Sequence, residues 1–164
     1  MTDSSVTVFS NLQNKLGESP LWHPLLETLF WVDIEKNLLL SKCLTKPDSL
    51  TQVEMQDTVS ALAWLDKAHL IIGTSTGIYK YHIASGVRQT LTFLENTQST
   101  RRSNDGRADP WGGFWLSTMD KNACSGEGKI YRFIKIRSIV WCKVLIKRAH
   151  VLITATLKPA VFLP

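Results

Sequence analysis

Hydrophobic residues along this chain fall into short runs broken by turn formers, and almost nowhere recur at helical spacing. "LFWVDI", "HLIIGTS" and "GFWLSTM" are brief stretches rich in β-branched and aromatic residues, and "GIYKYHI" and "GKIYRF" alternate apolar with polar side chains. Short apolar runs of this kind predict buried strands, and alternation predicts strands with one buried face. His23-Pro24, Leu65-Asp66-Lys67, Ser85-Gly86 and Asp109-Pro110 supply the turns between them.

The pattern repeats. "SPLWHPLLETLFWVDIEKNLLLSKCL", "SALAWLDKAHLIIGTSTGIYKYHI" and "GRADPWGGFWLSTMDKNACSGEGKIYRF" line up so that Trp31, Ile72 and Trp115 are equivalent, 41 and 43 residues apart. A period of that length built from short strands is the signature of β-propeller blades. A β-sandwich also has closely spaced strands, but does not usually repeat a strand at constant period. The expected fold is therefore all-β: a partial propeller of about three blades over residues 1–133, followed by a divergent tail, 134–164. Three blades leave open flanks, which makes self-association through the open propeller edge an expectation.

Charge separates the two parts. Residues 1–133 hold 13 Lys/Arg and all 14 Asp/Glu, whereas 134–164 hold six Lys/Arg and no acid. The net charge of +5 thus belongs to the tail and not to a nucleic-acid-binding face. That tail, "IKIRSIVWCKVLIKRAHVLITATLKPAVFLP", reads either as sequence joined to a truncated domain and disordered, or as an element covering the open edge. No basic n-region precedes an apolar segment at the N-terminus, and no run is apolar for long enough to span a bilayer. Cys43, Cys124 and Cys142 form no CxxC pair. Reduced thiols and a cytoplasmic location, with neither membrane nor nucleic acid as partner, are the expectations.

Candidate chemistry concentrates in two places, "LGESPLW" at 16–22 and "RSNDGRADPWGG" at 102–113. On residue type alone, Glu18 is a solvated turn residue and Asn104-Asp105-Gly106 a tight turn, because charged residues are mostly exposed and Asn, Asp and Gly tolerate turn dihedrals. Trp22, Trp31, Trp64 and Trp115 read as blade-packing residues. His23, His69, His82 and His150 lack mutual ligand spacing.

"LGESPLWHPLLETLFWVDI", "RSNDGRADPWGGFWLSTM" and "GKIYRF", in this order, resemble the regucalcin (senescence marker protein 30), gluconolactonase and luciferin-regenerating enzyme family over residues 7–133, about the N-terminal half of a member. The resemblance implies a six-bladed propeller and a hydrolase that opens sugar lactones such as gluconolactone with one divalent cation, Ca²⁺, Zn²⁺, Mn²⁺ or Mg²⁺. It implies Glu18 as a metal ligand and Arg102 and Asn104 as substrate-binding residues, with Asp105 as a neighbour of the site. The family's remaining ligands, an Asn and an Asp that is also the base, come from later blades and have no counterpart here. No catalytic residue is therefore assigned. A non-catalytic calcium-binding or interaction form is the second expectation.

Overall fold

The computed structural model describes residues 6–46, 48–94, 100–123, 128–134 and 140–146. Twelve strands, and no helix among the described residues, form three four-stranded antiparallel sheets. The first contains β1(Gly17–His23), β2(Thr28–Asp33), β3(Leu38–Cys43) and β4(Thr51–Glu54). The second contains β5(Val59–Asp66), β6(His69–Thr74), β7(Gly77–His82) and β8(Arg88–Phe93). The third contains β9(Arg101–Ala108), β10(Gly113–Asp120), β11(Gly128–Ile134) and β12(Val140–Ile146). In every sheet the strands lie in chain order, as consecutive meanders do, and the sheets meet through β1, β5 and β9. This is the partial propeller expected from the repeat: Trp31, Ile72 and Trp115 all sit in second strands.

Alternation along the strands builds two apolar layers. Phe30, Val32 and Leu39 of the first sheet pack on Val59, Leu62, Leu70, Ile72, Tyr79 and Tyr81 of the second. From the opposite face of the second sheet, Ala61, Ala63, Ile71 and Ile78 pack on Phe114, Leu116 and Tyr131 of the third. At about 25 cal/mol per Å² of buried apolar surface, these layers supply the driving force that the short strands lack individually.

Two expectations change. The Asn104-Asp105-Gly106 run is not a turn but the middle of β9. Its turn-forming composition is overridden by pairing along β10 and by close packing: a Cβ on Gly106 would lie 2.3 Å from the Trp115 carbonyl oxygen and 2.8 Å from Ala61 Cβ. Asp109-Pro110 does open the β9–β10 turn, but Asp109 is also buried and bonded on both oxygens. From the tail, 140–146 pairs antiparallel with β11 as the outer strand of the third sheet, while 135–139 and 147–164 lie outside the described residues. Cys124 and His150 lie outside them too.

Candidate functional site

Each inner strand carries at least one extra residue opposite its neighbour, and β5 a second between Trp64 and Asp66. In β1 the register shifts between Glu18 and Leu21, in β5 between Val59 and Ala61, and in β9 between Ser103 and Gly106. Such bulges bend a strand and re-aim its side chains, and they favour the rims of closed sheets and the neighbourhood of sites. Ser19, in the β1 bulge, takes the left-handed φ of 52° that a bulge residue can require. The bulges fall beside the residues that the sequence singles out: Glu18 just before the first, and Asn104 with Asp105 forming the third.

Cross-sheet hydrogen bonds fix the bulged strands to their neighbours. Ser19 Oγ accepts from Leu62 N of β5 at 2.9 Å, and Ser103 N donates to Ser75 Oγ of the β6–β7 turn at 3.1 Å. Asp105 is held through its backbone: its N–H donates to Ser117 Oγ at 3.1 Å, and its carbonyl accepts from the same hydroxyl at 3.0 Å. The Asp105 side chain turns back to accept from Gly106 N at 2.7 Å.

Arg102 and Asn104 are brought together directly. Arg102 Nη1 donates to Asn104 Oδ1 at 3.2 Å and to the Ser103 carbonyl at 2.9 Å. Burial of the guanidinium pushes its pKa below the ordinary arginine value, against the opposing pull of Glu35 and Glu18. Glu18 thus belongs to the electrostatic surroundings of Arg102, although 84 residues separate them in sequence. Its side chain is exposed and makes no hydrogen bond among the described residues. Glu35, which sequence reasoning missed, stands on the β2–β3 turn and pairs with Lys15 at 2.7 Å. Only its place directly after the apolar "LFWVDI" strand could have signalled it.

The donor chemistry suits a hard divalent ion: one carboxylate without a competing hydrogen bond and one amide oxygen, from different sheets. No group of three or more His, Cys, Asp or Glu able to hold a metal occurs among the described residues. Beside Glu18, a groove of about 300 Å³ opens on the first sheet, lined in part by Phe9, Leu12, Pro20, Leu29 and Trp31. Trp31 is buried, but Trp22 is 43% exposed and belongs to no packed layer.

Comparison with known proteins agrees with this architecture. Residues 16–151 match the family model described as the SMP-30/Gluconolactonase/LRE-like region. An L-arabinolactonase of Azospirillum brasilense is 30% identical over 118 residues, which are 71% of this chain and 39% of that protein. Regucalcin of Macaca fascicularis is 32% identical over 111 residues, covering 64% of this chain and 35% of the relative. A crystal structure of a calcium-binding regucalcin from Agrobacterium tumefaciens superposes with a TM-score of 0.77 at 29% identity, over 85% of this chain and 47% of the other. The chain spans less than half the length of these relatives.

Proposed function

This chain belongs to the SMP-30/gluconolactonase/LRE-like family, and from that premise we propose that it carries one wall of a sugar-lactone hydrolase site. The observations that support this reading are the Arg102–Asn104 hydrogen bond, the strand bulges that fall at Glu18 and at Asn104, and the electrostatic pull of Glu18 on Arg102.

In this reading Arg102 and Asn104 bind the lactone, and Glu18 with the Asn104 amide oxygen would hold a divalent cation. When bound, such an ion supplies positive charge that polarises a carbonyl and lowers the pKa of water. Arg102 is oriented by its bonds to Ser103 and Asn104, and its remaining N–H groups can donate to sugar hydroxyls or to the developing oxyanion. Water attack also needs a general base within hydrogen-bond reach. Asp105 spends an oxygen on Gly106 N, and Glu35 is paired with Lys15, so neither is assigned that role. With no base assigned among these residues, binding without efficient turnover is the expectation.

Gluconolactone titration, followed by tryptophan fluorescence and by acid release in a pH-stat with Ca²⁺, Zn²⁺, Mn²⁺ or Mg²⁺, tests this. Saturable binding lost in Arg102→Ala, with little ion-dependent acid release, is the expected result. Robust ion-dependent turnover abolished by Glu18→Ala would overturn the one-wall reading. Lactone binding untouched by Arg102→Ala would overturn the site itself.

A further inference from the structure

The second strands of the three sheets each carry a buried polar residue at one equivalent place: Asp33, Thr74 and Ser117, 41 and 43 residues apart. A polar group that is buried must be hydrogen-bonded, so what each one bonds shows what it holds in place. Thr74 spends its hydroxyl within its own β6–β7 turn, on Thr76 and Gly77. Asp33 and Ser117 reach back to the start of the sheet instead. Asp33 accepts from Lys15 N at 2.7 Å and Leu16 N at 3.1 Å, the two residues leading into Gly17-Glu18, and from Lys36 N at 3.2 Å. Ile34 N closes the same junction on the Leu16 carbonyl at 2.9 Å. Ser117 grips Asp105 at both backbone atoms and so fixes the Asn104–Asp105 bulge.

The sheets that carry site residues use this position to hold an inner strand; the sheet that carries none uses it locally. We propose that Asp33 and Ser117 are positioning residues, Asp33 for Glu18 and Ser117 for Asn104. This rests on the reading of Glu18 and Asn104 as the ion-facing pair.

The test uses the isotope-labelled full chain, titrated with Mn²⁺ while line broadening is followed at Glu18 and Asn104, with Glu54 and Thr92 on outer strands as controls. Backbone order at Glu18 and order of the Asn104 side-chain amide are measured on the metal-free chain. In Ser117→Ala the Asn104 amide loses order and half-broadening needs about tenfold more Mn²⁺. Ser117→Thr, with the hydroxyl that the second sheet already uses, restores both. Asp33→Asn does the same to Glu18. If Asp33→Asn does not fold, the Ser117 pair decides. If wild type shows no selective broadening, the ion-site reading fails, and the order measurements alone decide the positioning role. Folded variants that leave both order and Mn²⁺ response unchanged would overturn the proposal.

Discussion

Arg132 sets two nitrogens, Nε and Nη2, each 2.7 Å from the same oxygen of Asp109, Oδ2. That oxygen also accepts from Trp115 Nε1 at 2.9 Å, while Oδ1 takes Trp111 N and Gly113 N at 2.9 and 2.8 Å. One buried carboxylate thereby ties the β9–β10 turn to β10 and β11. Removing one member of such a pair strands the other. Asp109→Ala is expected to cost about 3–5 kcal/mol in urea unfolding, and Arg132→Met less, because the three N–H donors besides Arg132 stay in place.

Acid should unfold the chain through the same group. Burial raises the pKa of Asp109, but hydrogen bonds from Gly113, Arg132, Trp111 and Trp115 outweigh it and hold the carboxyl below the usual range. Burial acts likewise on Asp33, where Lys15, Leu16 and Lys36 outweigh it. Both carboxyls therefore contribute stability that is full above the unfolded value of about 3.9 and is lost as pH falls through the lower folded values. Thermal melts across that window are expected to drop steeply in wild type and less in Asp109→Asn.

The sequence repeat made the three sheets legible, because Trp31, Ile72 and Trp115 mark a buried strand whose chemistry recurs. Outer strands were less so: "TQVE" of β4 is exposed throughout and has no apolar alternation to betray it. The site was legible as residues but not as geometry. Asn104-Asp105-Gly106 has turn-like composition, and only Ala61 from another sheet and the Trp115 carbonyl explain why Gly lies within a strand there. Asp109 looked like a turn residue for a similar reason: its partner Arg132 lies 23 residues later and is visible only once β10 and β11 pair.

Gly106→Ala and Gly112→Ala separate two uses of glycine. At Gly106 the new Cβ meets backbone and the next sheet, and overpacking of about 1–3 kcal/mol or more is expected. Gly112 has open space around it but a φ of 80°, so its alanine variant should lose only about 1 kcal/mol. Chemical denaturation of the pair checks the order.

Glu18→Gln should leave the melting temperature unchanged, since the side chain is exposed and makes no hydrogen bond among the described residues. It should nevertheless abolish any rise in melting temperature produced by millimolar Ca²⁺. Calorimetry with and without the ion reads both.

Cys43 is expected to alkylate faster than a peptide thiol near neutral pH. The side-chain hydrogen bond with Thr45, 3.3 Å away, lowers its thiol pKa and raises the thiolate fraction. Thr45→Val should slow iodoacetamide labelling at that position, as peptide mass mapping would show.

Among the described residues, the second sheet supplies side chains to both apolar layers, whereas the first and third each supply one. Kinetically, that makes it the natural folding nucleus: adjacent strands close short loops first, and the flanking sheets then condense on either face. Conservative truncations such as Ile72→Val in the middle sheet should slow refolding, while Val32→Ala at the flank should mainly speed unfolding. Stopped-flow rates on the two variants would read out the order in which the layers form.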